Sequence, residues 1–248
     1  RLHRGRPACD GVQRAAVLAG GAWSRRFCHN IGVRLPQLGV INSVMRTVPF
    51  DAGLPHSASG GGFSLRKRGD GGYTIAHQHS SVADIVPDSF RLFLDFLPAL
   101  KLDWKGLKLR LGRRFIDEAR LARRWRLDEV SPFEQVRILD PDPVDPILDQ
   151  AAANLARWFP AFRDVQIAGR WAGLIDAMPD VVPVISAAVG LEGLYLATGF
   201  SGHGFGLGPG AGKLMAELVT GERPSVDPSP FRHGRYFDGT PMRPTTGL

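Results

Sequence analysis

Residues 199–214 constrain the fold more than any other part of this 248-residue chain. The segment reads Gly199-Phe-Ser-Gly-His-Gly-Phe-Gly-Leu-Gly-Pro-Gly-Ala-Gly-Lys-Leu214 and lies between a strand-like run, Gly193 to Thr198, and a helix-like run, Lys213 to Val219. Glycine is costly to order, so this density of glycine predicts close backbone approach or positive φ angles. A strand, a glycine turn and a helix start together favour an anionic ligand, because first-turn N–H groups lack partners. The alternative is an ordinary strand-to-helix connection.

Two common nucleotide signatures are absent from this segment. The P-loop pattern needs glycine where Leu207 stands and Ser or Thr where Leu214 stands. No frame through residues 199–212 supplies G-x-G-x-x-G. Pro209 suits the first position of a helix, and Gly221 suits the cap beyond its last turn. The segment is therefore a different, ligand-facing glycine loop followed by a helix.

The rest of the chain divides into regions of strand and helix character. A strand over residues 15–19 runs through a glycine turn into a short helix. Further strands are predicted over residues 39–47, 62–67 and 72–76, with a hairpin turn at Arg68-Gly-Asp-Gly-Gly72. Helical spacing predicts helices over residues 88–97, about 113–127 and 146–159. Strands return after residue 166, and this order favours a mixed or antiparallel sheet inserted into a nucleotide-binding fold.

Three further motifs follow one another along the chain. Ala16-Val-Leu-Ala-Gly-Gly-Ala-Trp-Ser24 comes first, Trp171-Ala-Gly-Leu-Ile-Asp-Ala-Met-Pro-Asp-Val-Val-Pro-Val-Ile185 precedes the glycine segment, and Gly221-Glu-Arg-Pro-Ser-Val-Asp-Pro-Ser-Pro-Phe231 follows it. Together with the glycine segment, they resemble the D-amino acid oxidase (DAO) family of FAD-dependent oxidoreductases. That family includes glycine and sarcosine oxidases and dimethylglycine-type dehydrogenases. The resemblance is weaker over residues 45–165.

The resemblance implies an α/β (α+β mixed) fold, the remnant of an FAD/NAD(P)-binding fold with an inserted mixed or antiparallel substrate-domain sheet plus helices. Residues 1–40 would belong to the FAD-binding domain, 41–165 to the substrate-binding domain, and 166–248 to the C-terminal part of the FAD-binding domain. Family members begin with a βαβ unit that carries G-x-G-x-x-G, and nothing of that kind precedes Ala16. We therefore expect the chain to be the C-terminal portion of such a flavoprotein.

The resemblance also implies FAD as the cofactor. Backbone N–H groups of residues 200–206 would lie near the pyrimidine carbonyl of the flavin ring, and the positive end of the following helix would stabilise the anionic reduced flavin. Gly20 and Gly21 would approach the dinucleotide part of FAD. The implied cofactor-binding residues are Gly20, Gly21, Trp23, Asp180, Gly199, Phe200, Ser201, Gly202, His203, Gly204, Phe205 and Gly206.

Catalytic roles are predicted for His203, His77 and Tyr73, and substrate contact for His79. His203 lies in the glycine segment, where its imidazole either lies beside the flavin or substrate or holds the loop by a hydrogen bond. Alternation along a strand puts Tyr73, His77 and His79 on one face. In the family that the chain resembles, this sheet covers the substrate, so these residues are candidates for substrate contact. The alternative is that they lie at a strand end that reaches solvent. No third ligand has metal-binding spacing, so no metal is predicted.

Familiar substrate anchors of the family are replaced here. The arginine that clamps the substrate carboxylate in glycine and D-amino acid oxidases corresponds to Ile175, and the lysine that some oxidases use to activate oxygen corresponds to Thr74. A buried carboxylate without a cation is costly. Either Arg46 or Arg170 binds the substrate instead, or the substrate is not a simple amino acid. The missing lysine favours a dehydrogenase with another electron acceptor.

The net charge of +7 raises nucleic-acid binding as a rival function. Seven arginines and Trp125 fall between Arg110 and Arg126, and arginine with an interleaved aromatic suits phosphate and base contact. However, Leu111, Phe115 and other apolar residues recur there at helical spacing, which predicts an amphipathic helix with a solvated arginine face. We therefore predict no nucleic-acid partner. Steeply salt-dependent DNA binding would support the rival.

Composition predicts a globular chain with a sizeable core, since 44% of its residues are hydrophobic. No apolar run reaches the ~18 residues of a membrane helix, so no membrane span is predicted. Cys9 and Cys28 lack metal-ligand spacing and favour a reducing, cytoplasmic location.

These features together predict an FAD-dependent oxidoreductase that oxidises the C–N bond of an amine or amino acid by hydride transfer to flavin. The small-molecule substrate would be joined by an electron acceptor or a partner subunit. The alternative is a flavin-free remnant that acts as a binding or assembly module, because the dinucleotide-binding half is missing.

Overall fold

The computed structural model describes residues 15–78, 81–102 and 106–244. The strands are β1 (Ala16–Leu18), β2 (Leu38–Thr47), β3 (Ala58–Gly60), β4 (Phe63–Lys67), β5 (Tyr73–Ala76), β6 (Ser81–Asp84), β7 (Leu107–Arg110), β8 (Ile167–Ala177), β9 (Val184–Ala187) and β10 (Leu194–Thr198). The helices are α1 (Ser24–Asn30), α2 (Pro87–Arg91), α3 (Phe93–Leu102), α4 (Arg113–Arg120), α5 (Pro132–Gln135), α6 (Asp145–Trp158) and α7 (Gly204–Thr220). The mixed α/β fold expected from the sequence is confirmed.

The smaller sheet has the order β1-β10-β9 and lies between two helical layers. β1 pairs in parallel with β10, and β10 pairs antiparallel with β9. Alternate residues of β10 face opposite sides: Leu194 and Leu196 pack near Cys28 of α1, while Tyr195 and Ala197 pack against α7. Helices on both faces of a sheet that contains a parallel pair are the layering of nucleotide-binding folds.

The larger sheet has the order β3-β4-β5-β2-β6-β7, and β8 pairs with β2 along its other edge. One face is covered by α6, because Met45, Ile75 and Leu155 are completely buried in one apolar cluster. The opposite face is partly open. Strand alternation and the β2–β8 register assign Asn42, Val44, Trp171 and Ile175 to that open face.

Several helices differ from their predicted extents. The helix predicted over residues 113–127 ends at Arg120, because the backbone N–H of Trp125 donates a hydrogen bond to Asn30 and the indole packs edge to face against Phe133. The helix predicted over 88–97 is divided into α2 and α3. β3, β6 and β7 are not among the predicted strands. The hairpin at residues 68–72 is confirmed by the hydrogen bond from the Arg68 N–H to the Gly72 carbonyl.

The last helix begins earlier than the sequence predicts. α7 starts at Gly204 and encloses Pro209, so the alternating glycines from 204 to 212 are helical and do not form a loop. Packing of Ala211, Leu214 and Met215 under the small sheet outweighs the poor helix propensity of glycine. Gly221 caps the helix with φ +74, as predicted.

Candidate functional site

A cleft of about 360 Å³ opens where the two sheets meet. Ala19 and Gly21 come directly after β1, while Ala197 and Phe200 flank the end of β10. Ile175 of β8 closes the other side. The carboxyl ends of the two parallel strands therefore point into the cleft, which is where open α/β sheets bind their ligands.

Residues Gly199–His203, called here the glycine turn, connect β10 to α7 along one wall of the cleft. Gly199 has φ +79, and a Cβ added to it would clash with Met178 Cγ, so only glycine fits. Ser201 also has a positive φ, +51. Its hydroxyl accepts a hydrogen bond from the Met178 N–H at 3.1 Å, and its own N–H donates to the Asp176 carbonyl at 3.2 Å. The turn is thereby fixed to the end of β8.

Asp176 is a buried carboxylate behind the glycine turn that the sequence interpretation missed. Its Oδ2 accepts the Gly199 N–H at 2.8 Å and lies 3.3 Å from Thr198 Oγ1 and 3.4 Å from Gln37 Nε2. Burial raises the pKa of Asp176, and the hydrogen bonds from Gly199 and Thr198 oppose that shift only in part. The available sequence signal was an acidic residue inside an apolar strand segment. Asp176 links β8, β10 and the glycine turn.

The start of α7 has no side-chain cap. His203 occupies the N-cap position without a side-chain cap hydrogen bond, so the first-turn N–H groups remain available to a ligand. Among the described residues, the His203 imidazole makes no hydrogen bond, and the residue is exposed. Only its backbone N–H contacts the turn, at the Phe200 carbonyl. The geometry therefore does not support the alternative in which the imidazole holds the loop.

The start of α7 is open to close approach. A Cβ added at Gly21 or Gly206 would meet no atom within 4 Å. Phe205 is fully exposed beside them. A planar ring could approach this surface closely, and uncapped N–H groups suit a carbonyl that takes up negative charge. The residues present therefore fit the ring end of FAD. No G-x-G-x-x-G turn for the pyrophosphate lies within the described residues.

The remaining residues predicted to bind cofactor are divided. Gly21 lines the cleft, and the carbonyl of its neighbour Gly20 accepts the Trp23 N–H at 3.0 Å. The Trp23 ring packs edge to face against Phe133, at 5.2 Å between centroids. The prediction that Asp180 binds the cofactor is corrected. Its carboxylate is buried in an ion pair with Arg235 at 2.7 Å and has no free face for a flavin.

The predictions for the 73–79 strand are also corrected. Tyr73 and Ile75 share the face that packs against α6, and Tyr73 is completely buried, with its hydroxyl donating to the Leu54 carbonyl at 3.1 Å. His77 follows the strand, and its Nδ1 lies 2.6 Å from the Gln78 carbonyl. Alternation from Tyr73 and Ile75 places His77 on the face of the sheet that packs against α6, and not on the open face. His79 lies outside the described residues.

The two arginines predicted to bind substrate lie far along the sheet. Arg46 pairs with Gly169, seven residues before Asp176, which at ~3.3 Å per residue is about 23 Å from the glycine turn. Arg170 faces α6, where it binds Asp145 at 2.9 Å and Asp149 at 2.7 Å. The structure brings neither of them to the cleft. Among the described residues, none of those that line the cleft is basic.

The structure also bears on the other predicted partners. No helix within the described residues is long and apolar enough to cross a membrane. That part of the chain also holds no cluster of three potential metal ligands. Many arginines of the 110–126 stretch form ion pairs, such as Arg110 with Asp84 at 2.7 Å and Arg126 with Asp128 at 3.0 Å.

The family model of FAD-dependent oxidoreductases, DAO, matches residues 2–218. The chain therefore belongs to the DAO family of FAD-dependent oxidoreductases, as its motifs indicated. It is 35% identical over 92 residues to a glycine oxidase of Pseudomonas aeruginosa, which is 37% of this chain and 25% of that protein. It is 27% identical over 208 residues to a D-amino acid dehydrogenase of Rhizorhabdus wittichii, covering 72% of this chain and 49% of that protein.

Solved structures of L-amino acid deaminases are similar to the chain along most of its length. The enzyme from Proteus vulgaris superposes with a TM-score of 0.81 at 33% identity and covers 87% of this chain and 50% of its own. The enzyme from Proteus myxofaciens, in complex with anthranilate, gives 0.83 at 34% identity, covering 89% of this chain and 49% of its own. The chain thus spans a quarter to a half of the length of these relatives.

Proposed function

We propose that this chain supplies the flavin-ring and substrate side of an FAD-dependent enzyme that oxidises the C–N bond of an amine or amino acid. The observation that carries the proposal is the uncapped start of α7, which follows the glycine turn at the carboxyl ends of β1 and β10. Membership of the DAO family supports it. FAD, when bound, accepts a hydride from the carbon next to the substrate nitrogen.

The backbone of the chain would hold and polarise the flavin. N–H groups of the first turn of α7 would donate to the pyrimidine carbonyl, and the positive end of the helix would favour negative charge there by about 0.3–2 kcal/mol. Gly20, Gly21 and Gly202 would permit close approach. Asp176 would keep the turn in position through the Gly199 N–H. The exposed imidazole of His203 would lie beside the flavin or the substrate.

The open face of the large sheet would cover the substrate. Ile175 lies at the cleft, and Asn42, Val44 and Trp171 continue the same face. These side chains are mostly apolar, so we propose a substrate with an apolar or aromatic group. Because no basic residue lines the cleft among those described, we also propose a dehydrogenase that passes electrons to an acceptor other than oxygen.

The first experiment is the visible absorption spectrum of the purified chain, followed by a titration with FAD monitored by quenching of flavin fluorescence. We expect bound flavin, or saturable binding of added FAD. Reduction of a dye by amines or amino acids without matching hydrogen peroxide would then support the dehydrogenase. Equal amounts of peroxide and oxidised substrate would support an oxidase instead.

A matched pair of variants tests the placement of the flavin. Gly206→Leu and Gly212→Leu both place a side chain where a Cβ meets nothing within 4 Å, so both variants should fold. Residue 212 lies six residues along the helix, about 9 Å from residue 206. We expect Gly206→Leu to abolish flavin binding and Gly212→Leu to retain most of it. Equal affinity for FAD in both variants would contradict the placement.

A flavin-free binding or assembly module remains the second candidate function. The observation in its favour is that, within the described residues, β1 is an edge strand of the small sheet, with Val17 46% exposed. Exposed strand edges pair readily with other chains. A colourless protein that leaves flavin fluorescence unchanged, yet elutes as a complex with a second polypeptide, would support this function.

A further inference from the structure

A second cavity, of about 130 Å³, lies where α1, the start of β2, α2 and α4 come together. One water molecule needs roughly 15 Å³ of such space, so the cavity has room for a small ligand. Leu174 of β8 borders both this cavity and the flavin cleft, but none of the arginines of this cavity lines the cleft. We call it the arginine cavity, after its lining residues Arg25, Arg26, Arg91, Arg114 and Arg123.

The arginine cavity carries an excess of positive charge. Its five guanidinium groups face only two carboxylates, Asp88 and Glu118, which leaves three positive charges without a matching negative charge. Asp84 lies 3.6 Å from Arg114, but it accepts two hydrogen bonds from Arg110, at 2.7 and 3.1 Å. Its charge is therefore already matched outside the cavity.

Each of the two carboxylates is shared among several arginines. Asp88 lies 2.6 Å from Arg25, 2.9 Å from Arg91 and 3.9 Å from Arg123. Although burial alone would raise the pKa of Asp88, hydrogen bonds from Arg25 and Arg91 lower it to about 2. The carboxylate is therefore ionised at neutral pH, and its single negative charge balances only one of the three neighbouring arginines.

Glu118 is shared in the same way, by a direct contact with Arg26 and by Arg114 at 3.9 Å. Arg25, Arg26 and Arg114 have side chains that are 14%, 16% and 24% exposed, so solvent screens them only in part. Burial, and then repulsion from Arg91 and Arg25, lowers the pKa of Arg123, with Asp88 opposing that shift. These guanidinium groups repel one another across the cavity.

Arg123 is held in place by a histidine. The His29 Nε2 lies 2.8 Å from Arg123 Nη2, and its Nδ1 lies 3.0 Å from the Arg123 carbonyl. If Nε2 accepts the guanidinium proton, Nδ1 is the protonated nitrogen and donates to the carbonyl. The guanidinium is thereby oriented towards Asp88 and the cavity, although the loop that carries it has no helical structure.

We propose that the arginine cavity binds a small multivalent oxyanion of the phosphate class. Guanidinium groups that converge from α1, α2, α4 and the loop after α4 can donate to several oxygens of a tetrahedral anion at once. A bound dianion would offset most of the excess charge and join the three helices. The proposal does not depend on flavin binding, because none of the five arginines lines the flavin cleft.

Isothermal titration calorimetry of the purified chain with inorganic phosphate, at constant ionic strength in chloride, tests the proposal. We expect one site per chain. Arg123→Gln should weaken binding by about ten-fold, since hydrogen bonds to charged groups are strong. Arg126→Gln is the control, because Arg126 pairs with Asp128 in solvent, outside the cavity, and should bind phosphate like the unmodified chain.

A second variant, with the opposite expected effect on affinity, keeps the test decisive if Arg123→Gln misfolds. Glu118→Gln removes a negative charge from the cavity and should tighten phosphate binding several-fold. Glycerol phosphate and acetate serve as further ligands. If both glycerol phosphate and free phosphate bind, the site is open to larger phosphate compounds. If free phosphate binds and glycerol phosphate does not, the ligand is the phosphate ion itself. No heat with phosphate, acetate bound as tightly as phosphate, or equal affinities in Arg123→Gln and Arg126→Gln would each overturn the proposal.

Discussion

The glycine turn and the arginine cavity both favour a negatively charged partner, but different forces hold them in place. In the glycine turn the donors are backbone N–H groups, and buried hydrogen bonds to Asp176 and Ser201 fix their direction. In the arginine cavity the donors are long side chains on α1, α2, α4 and a loop. α2 and α4 have no buried residue, so ion pairs position this region more than apolar packing does.

This difference has a physical consequence. Buried hydrogen bonds and positive-φ glycines give a rigid site that salt does not weaken, whereas partly exposed ion pairs are weak singly and are screened by salt. A flavin ring requires fixed donors, because the charge that they stabilise appears only during the reaction. A diffusible anion requires only an excess of positive charge in a cavity of suitable size.

The buried ion pair next to the glycine turn should be the most sensitive point of the first region. Asp180 and Arg235 have side chains only 8% and 6% exposed, and the Asp180 carboxylate also accepts the Tyr236 hydroxyl at 2.9 Å. Removing one partner leaves a buried charge, so Arg235→Gln should destabilise the chain by about 3–5 kcal/mol. Urea unfolding measures this loss. A loss below that of the exposed pair variant Arg126→Gln would contradict the comparison.

Gly199→Val should cost about 2–4 kcal/mol, because a β-branched residue is strained at φ +79 and its Cβ clashes with Met178. The control is Gly190→Val, which has a similar φ of +85 but no atom within 4 Å of the added Cβ. The difference between the two urea midpoints isolates the clash. Equal midpoints would show that Met178 moves aside and that the turn is less rigid than its hydrogen bonds indicate.

Asp176→Asn should give a smaller, pH-dependent effect of about 1–3 kcal/mol. Because burial raises the pKa of Asp176, folding favours its protonated form. This contribution to stability is complete below the unfolded pKa, near 3.8, and is lost as pH rises through the raised folded value. The unmodified chain should therefore lose stability relative to Asp176→Asn over that range. Urea unfolding of both at several pH values checks this, and a difference that does not change with pH would exclude the assignment.

Much of the fold could be predicted from the sequence, because strand alternation and glycine punctuation are local signals. β2, β4, β5 and the hairpin at residues 68–72 follow from them. The faces of the strands could not be assigned in the same way: alternation correctly grouped Tyr73 with Ile75, but only the packing of α6 shows that this is the core face. The two-residue alternation of a strand determines which residues share a face, but it does not determine which element packs on that face.

The site was predictable in its backbone and less so in its side chains. The glycine turn lies at the start of the glycine-rich segment, as predicted, although the five glycines from Gly204 to Gly212 are helical and only Gly199 and Gly202 lie in the turn. Asp176 was missed and Asp180 was assigned to the flavin, because two acids four residues apart give the same sequence signal. Their partners, the Gly199 N–H and Arg235, lie 23 and 55 residues away in sequence. Only the tertiary structure separates a turn-positioning carboxylate from a buried ion pair.

The smallest expected effect distinguishes the two regions directly. Exposed ion pairs contribute about 0.2–1 kcal/mol each, so 1 M KCl should loosen α4, where Arg113 and Asp117 lie 3.6 Å apart and are 91% and 53% exposed. Amide hydrogen exchange should become a few-fold faster in α4 and stay unchanged at Gly199 and Ser201. Sodium phosphate at matched ionic strength should reverse the change in α4 if the arginine cavity binds it, because a bound oxyanion joins α4 to α1. Equal salt sensitivity in both regions would mean that packing, and not charge, holds α4 in place.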